Sequence, residues 1–150
     1  MAPPKPTGPG LGHSFMTFMS ALHVWLYRVL NGRFVSKMGN APILLLTTTG
    51  HKSGQPRTVP VLYLETGNDY AIVGSYAGAD KPPAWLTNLL KTPSAQIQAG
   101  ARKMRVNATV ASPQQKAELW PKLVAIYPDY QVYQSRTSRE IPVVLLSSAA

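Results

Sequence analysis

Residues 43–65 read ILLLTTTGHKSGQPRTVPVLYLE, and this stretch decides the fold class. Ile43–Thr49 is aliphatic and β-branched throughout, the composition of a strand. Thr58–Glu65 is a second strand, with Val59, Val61 and Tyr63 alternating against Thr58, Pro60 and Leu62. The segment between them is short, polar and carries Gly50 and Gly54. Two strands joined so tightly run antiparallel. Pro60 has no N–H to donate, which assigns the second strand to an edge or to a bulge.

Downstream, Glu65–Asp69 reads as a turn and Tyr70–Gly74 as a third strand. Pro82–Lys91 reads as a helix with proline in its first turn, ended by Pro93. Ser94–Gln98 and Arg102–Val110 form a hairpin about Ala99 and Gly100, residues 113–126 a helix that Pro121 kinks or restarts, and Ile141–Ser147 a last strand. Upstream, Phe15, Phe18, Met19, Leu22, Leu26, Val29 and Leu30 recur at spacings of three and four, predicting a helix over 13–31 with Ser14 as cap and Gly32 just beyond its end. There is no regular strand–helix alternation, so a doubly wound sheet is excluded. The expected fold is mainly β with flanking helices: a small closed or half-open antiparallel barrel.

The 150 residues suit one domain, expected over 13–150 behind a Pro- and Gly-rich disordered tail at 1–12. There is no cysteine, which excludes disulfides, thiolate chemistry and Cys-built zinc sites. His13, His23 and His51 are far apart, and no metal is expected. The formal charge is +9, and no acid precedes Glu65 while Lys5, Arg28, Arg33, Lys37, Lys52 and Arg57 do. Such a field suits an anionic partner: a phosphorylated small molecule, nucleic acid or an anionic membrane. The helix over 13–31 is too polar and short to span a bilayer; it packs on the body or lies on a membrane surface, and both readings stand.

Three clusters carry the chemistry. In Thr47–Arg57, Gly50 and Gly54 permit positive φ and expose backbone N–H groups, Ser53 and the threonines Thr47, Thr48 and Thr49 offer hydroxyls, and Lys52 and Arg57 offer charge. An anion-binding turn and a plain polar loop both fit. The order of a P-loop is absent, as is a dinucleotide fingerprint. In residues 74–85, GSYAGADKPPAW, a strand end with Ser75 runs into a glycine-containing loop of Tyr76, Ala77 and Gly78 suited to the polar atoms of a planar ring. Trp85 there is core or ring contact, and Asp80 caps or pairs locally. Tyr127, Tyr130 and Tyr133 are spaced by three, so a helix or 3₁₀-like turn gathers their phenols as a ligand wall or a packing face. Arg136 or Arg139 pairs with Asp129 or Glu140, or meets ligand. No nucleophile–histidine–acid set and too few carboxylates are present for hydrolysis; redox chemistry on a cofactor needs neither.

In order and spacing, LLLTTTGHKSG (44–54) with Pro56 and Arg57, IVGS (72–75), Pro83, Trp85, Asn88 and Leu89, LWP (119–121), and Tyr127, Tyr130 and Tyr133 leading into QSRTSREIPV (134–143) resemble the deazaflavin-dependent nitroreductases of actinobacteria. The resemblance covers residues 13–146 and implies a split β-barrel that binds coenzyme F420 and passes a hydride from its reduced form to a quinone such as menaquinone, or to a nitro-aromatic compound. It implies that Thr49, Lys52, Ser53, Gly54 and Arg57 hold the phosphate and acidic tail, and that Ser75, Tyr76, Ala77, Gly78 and Trp85 lie near the ring. Tyr127, Tyr130 and Tyr133 would line the acceptor side, with Tyr133, Tyr130 and Ser75 nearest the chemistry. Tyr76 stands where lysine is frequent in that family, which bears on nitroimidazole reduction, and His51 where arginine is common. FMN on the same barrel is the alternative cofactor. A nucleic-acid partner is not expected, because the tyrosines have only Arg136 and Arg139 beside them. The expected particle is a monomer or weak dimer, cytoplasmic, touching the inner face of the membrane at most peripherally.

Overall fold

The structure, a computed structural model, describes residues 21, 22, 24–28, 37, 38 and 41–149. The tail expected over 1–12 and most of the helix expected over 13–31 lie outside them; residues 24–28 are helical. The strands are β1 (Lys37–Met38), β2 (Ala41–Thr49), β3 (Pro56–Leu62), β4 (Leu64–Thr66), β5 (Asp69–Val73), β6 (Ser94–Ala99), β7 (Arg102–Val110) and β8 (Val143–Ser148). The helices are α1 (Ala84–Lys91), α2 (Pro113–Ile126) and α3 (Asp129–Ser135), with a 3₁₀ turn at Tyr76–Gly78.

All strand pairs are antiparallel, in the order β1-β2-β6-β7-β8-β5-β4 with β3 also on β2. β3 and β4 thus stand at opposite ends of the sheet although only Tyr63 separates them in sequence. The sheet closes on itself through chain continuity there, not through a ladder, which is the split of a split barrel. The single strand expected over Thr58–Glu65 is accordingly two. The β2–β3 ladder ends at Ile43 and Leu62, and the preceding residues of β2, Ala41 and Pro42, pair with β1. Tyr63 donates one last N–H to the Pro42 carbonyl (3.0 Å), and the chain then crosses to β5. Pro60 sits opposite Leu45 on β3, an edge strand as expected.

Three apolar layers hold this arrangement. Leu44, Leu46, Ile72, Ile97, Val106, Val144 and Leu146 fill the barrel, closed at one end by Leu86 and Leu89 of α1. On the other face of β5 and β8, Val73, Val143 and Leu145 receive Leu119 and Leu123 of α2 and Tyr130 of α3. Ile43 and Leu45 receive Val24 and Tyr27 of the helical stretch. Full burial of each such aliphatic side chain contributes on the order of 1.5–3 kcal/mol. Tyr27 is wholly buried; its hydroxyl donates to the Ile43 carbonyl (2.9 Å) and accepts from the Gly100 amide (2.7 Å). α2 starts on a reciprocal cap between Ser112 and Gln115 and continues through Pro121 without a break. Among the described residues no helix is long and apolar enough to cross a membrane.

Candidate functional site

The polar turn is a closed structure. The Gly50 amide donates to the Gln55 carbonyl and the Gly54 amide to the Gly50 carbonyl, both at 2.8 Å. The two glycines therefore shape the turn rather than offer N–H groups outward, a correction to the expectation from sequence. Gly54 adopts φ +69°, and a Cβ on Gly50 would stand 2.6 Å from the Ser53 hydroxyl. Ser53 Oγ accepts from the Gln55 amide (3.2 Å) and from Arg57 Nη2 (3.4 Å), which leaves its own O–H to donate. Lys52, Ser53 and Arg57 are exposed. Beside the turn, Thr47, Thr48, Thr49, Gly54 and Arg105 help line a groove of about 580 Å³ with no carboxylate on its walls.

Asn88 of α1 holds the turn in place. It is 3 % exposed; its Nδ2 donates to Thr48 Oγ1 (2.9 Å), and its Oδ1 accepts from the His51 amide (2.9 Å) and faces His51 Nδ1 at 2.5 Å. An amide oxygen can only accept, so this pairing puts the proton on His51 Nδ1. Lys91 Nζ donates to the His51 carbonyl (2.9 Å). His51 is thus turned toward α1. Sequence reading gave Asn88 no role. The available signal was an amide on the apolar face of α1, between Leu86 and Leu89.

The second and third clusters meet. Ser75, Tyr76, Trp85, Tyr127, Tyr130 and Tyr133 line one pocket of about 190 Å³, with Val61, Leu62, Val73 and Pro83 completing it. Ala77 is exposed and Gly78 is buried; neither lines this pocket. Tyr76 and Ala77 hold φ +45° and +52°, and Gly78 φ +77°. Left-handed backbone costs a non-glycine residue about 1–2 kcal/mol, so this loop is strained. A Cβ on Gly78 would lie 2.6 Å from the Tyr133 carbonyl, so the loop sits directly on α3. Arg139 donates to the carbonyls of Gly74, Ser75 and Ala79 rather than to a carboxylate. Glu140 pairs instead with Lys116 (2.5 Å), Arg136 stacks over the Tyr133 ring (5.6 Å), and Asp80 accepts from Thr137 Oγ1 (2.9 Å).

The phenols form one cluster, with ring centroids 4.9 Å (127 to 130), 6.1 Å (127 to 133) and 6.4 Å (130 to 133) apart. The Tyr127 and Tyr133 hydroxyls are 3.0 Å apart. That hydrogen bond, then burial and the negative charge of Asp129 and of an ionised Tyr133, push the Tyr127 phenol up to about 12. Either hydroxyl can be the donor of this pair, and where Tyr127 donates the Tyr133 O–H is left to point elsewhere. Burial pushes Tyr130 higher still. Burial also raises Tyr27 and Tyr63, the latter helped by Glu65.

Four of the seven tyrosines, Tyr27, Tyr63, Tyr127 and Tyr130, are thus raised above the ordinary 10.0. In the unfolded chain all would ionise near 10, so their neutral native forms favour folding fully below about pH 10 and that stability is lost as pH rises toward the native values. In a phenolate absorbance titration of the folded protein, Tyr127 and Tyr130 should still be largely neutral at about pH 11; all seven tyrosines titrating together would contradict it.

Turn and pocket are joined by two elements. α1 carries Trp85 at the pocket and Asn88 and Lys91 at the turn, six residues or about 9 Å along its axis. β3 carries Val61 at the pocket and Arg57 at the turn, four residues or about 13 Å of strand. Thr49, Lys52, Ser53, Gly54 and Arg57 therefore lie toward one end of these two elements and Ser75, Tyr76, Trp85 and the tyrosines toward the other.

Residues 19–148 match the family model described as F420H(2)-dependent quinone reductase. An F420H(2)-dependent quinone reductase of Mycobacterium tuberculosis (strain H37Rv) is 41% identical over 130 residues, covering 84% of this chain and 87% of the relative. A solved F420-H2 dependent reductase, FDR-A, is 36% identical with a TM-score of 0.66, covering 71% of this chain and 94% of that one. A Listeria innocua protein titled a putative pyridoxamine 5′-phosphate oxidase, 12% identical with a TM-score of 0.53 over 86% of this chain and 94% of its own, shares the fold. The chain belongs to the F420H(2)-dependent quinone reductase family, oxidoreductases whose cofactor is coenzyme F420.

Proposed function

We propose that this chain reduces a quinone at the tyrosine-lined pocket, with coenzyme F420 lying along the path from the Lys52–Arg57 turn to Ser75. The observation that carries the reading is the junction of Ser75, Tyr76, Trp85 and three tyrosines in one pocket, joined by α1 and β3 to a basic turn. The donor set fits the cofactor's anionic end: two exposed cations, a hydroxyl with its proton to give, and a neighbouring groove without a carboxylate. Lys52 and Arg57 would hold phosphate, Arg57 with two parallel bonds, and the acidic tail would follow the groove toward Arg105.

When bound, the reduced deazaflavin supplies two electrons as a hydride. The chain supplies the surroundings. Val61, Val73 and Trp85 keep the pocket apolar and exclude water. The Tyr127 hydroxyl fixes the Tyr133 oxygen at 3.0 Å; with Tyr127 donating, the Tyr133 O–H is free to donate to an acceptor oxygen on which negative charge develops. Tyr130, buried under α2 and kept neutral, is a wall of this site. A nitro-aromatic acceptor would have to use the same wall, without the charge that a lysine at position 76 would give. The helical stretch that presents Trp25 (59 % exposed) and Leu22 (38 % exposed) supports peripheral contact with a membrane from which a lipid-soluble quinone could be drawn.

Spectroscopic titration with F420 and with FMN, followed by anaerobic oxidation of reduced F420 with naphthoquinones, tests the reading. Expected are F420 binding that rising salt and Arg57→Ala each weaken by about tenfold or more, quinone-dependent oxidation, and co-sedimentation with anionic liposomes. Tight FMN binding with no F420 binding would overturn it.

A further inference from the structure

Arg139 lies outside the pocket lining, yet every donor nitrogen of its side chain is committed to the loop that supplies Ser75 and Tyr76. Nε donates to the Ala79 carbonyl (2.8 Å), Nη1 and Nη2 to that of Gly74 (3.1 and 3.2 Å), and Nη2 also to that of Ser75 (2.8 Å). Its own backbone is fixed in turn, the amide by Thr137 Oγ1 (3.3 Å) and the carbonyl by Gln134 Nε2 (2.9 Å). Gln134 also accepts from the Ile141 amide (3.0 Å), which ties the clamp to the start of the last strand region. Inside the loop only two turn bonds oppose relaxation, Gly78 N–H to the Ser75 carbonyl (2.9 Å) and Ala79 N–H to that of Tyr76 (3.0 Å). Both non-glycine residues at positive φ in the described chain, Tyr76 and Ala77, are between them. Tyr76 lines the pocket and is 49 % exposed, so its ring stands at the rim.

We infer that Arg139 is a positioning residue: its guanidinium holds the strained Tyr76–Ala77 turn closed and so fixes the Tyr76 ring at the rim of the pocket, where it selects the acceptor. The planar fork reaches these carbonyls from three separate nitrogens, whereas an ammonium carries its three donors on one atom and cannot span the same positions, so the requirement is for arginine and not merely for charge. The strain is local to two residues, and a glycine at position 77 would relieve part of it. Only the selection of acceptor rests on the function proposed above; the clamp itself does not.

The experiment is amide hydrogen exchange on the ligand-free protein, with Arg139→Lys and with Arg139→Lys combined with Ala77→Gly. Exchange at Gly78 and Ala79 should be at least about tenfold faster in Arg139→Lys, with Ile72 and Leu145 in the sheet unchanged, and the added glycine should recover about threefold or more of the protection. In turnover with reduced F420 and a water-soluble naphthoquinone, Arg139→Lys should raise KM for the quinone about tenfold while kcat falls less than about threefold. Unchanged exchange at Gly78 and Ala79, or a loss spread evenly over the sheet, would overturn the clamp. An unchanged KM would overturn the acceptor selection. If no quinone is reduced even by the unaltered protein, the proposed function and the selection fail together, and the exchange measurement still decides the clamp.

Discussion

Replacing Asn88 by leucine is expected to destabilise the protein by about 2–4 kcal/mol and to weaken F420 binding about tenfold or more. Leucine has similar volume, so α1 keeps its packing between Leu86 and Leu89. What goes is a set of bonds with no substitute. The Thr48 hydroxyl, 2 % exposed, loses the Asn88 Nδ2 donor. The His51 amide and ring lose their shared acceptor. Leaving buried polar groups unpaired costs more than the bonds contribute on average, which sets the upper part of the range. The affinity loss has a separate origin. With only Lys91 left to hold the His51 carbonyl, Lys52, Ser53 and Arg57 must be ordered by the ligand itself. Urea denaturation and fluorescence titration with F420 report the two effects independently. A stable variant with unchanged affinity would show that the turn does not depend on α1.

Gly78→Ala should be as damaging at the other end of the site. Gly78 holds φ +77°, and an added Cβ would meet the Tyr133 carbonyl at 2.6 Å, the Tyr133 Cα at 3.0 Å and the Arg136 Cβ at 3.1 Å. Two of these are backbone atoms of α3 and cannot swing aside. Backbone strain and overpacking together are worth about 2–4 kcal/mol. Relief requires α3 to move away from the loop and take Tyr133 with it, and a displacement of about 1 Å at a reacting group can lower kcat/KM about a hundredfold. Gly54→Ala is the matched comparison: its φ is +69° but no atom lies within 4 Å of the new Cβ. It should cost only the strain, about 1 kcal/mol. Equal thermal shifts for the two variants would show that the contact with α3 carries no weight.

Most of the architecture was legible because it is written in local pattern. The run from Ile43 to Thr49, the proline at the start of α1 and the hairpin about Gly100 each specify their element within a few residues. The split at Tyr63 was not legible, since it depends on the chain leaving β2 to pair with β5, an exchange of partners that no window of sequence displays. The separate helix at Asp129–Ser135 was half visible in the spacing of its tyrosines. In the site, the same division holds. The residues of the turn and the pocket carry distinctive chemistry that singles them out in sequence: Lys52, Arg57, Ser75 and the tyrosines. The residues that hold them act across long separations. Asn88 meets His51 across 37 positions and Arg139 meets Gly74 across 65, and neither contact follows from composition. Of the two glycines of the turn only Gly54 takes the expected positive φ, and neither has the expected use, because the count of free amides depends on which carbonyls the turn folds back on.

The position of β8 bears on when the enzyme can begin to work. This strand, residues 143–148, lies between β7 and β5, pairing Leu146 with both Tyr70 and Ala108. The loop bearing Ser75 is anchored there as well, through the Gly74 amide on the Pro142 carbonyl (2.9 Å). A nascent chain that has reached residue 140 already contains every side chain named in the site, yet β5 has only the three-residue β4 beside it and the loop has lost its footing. Formation of the pocket is therefore expected to wait for β8, and a chain ending short of it would carry these side chains without the anchored loop.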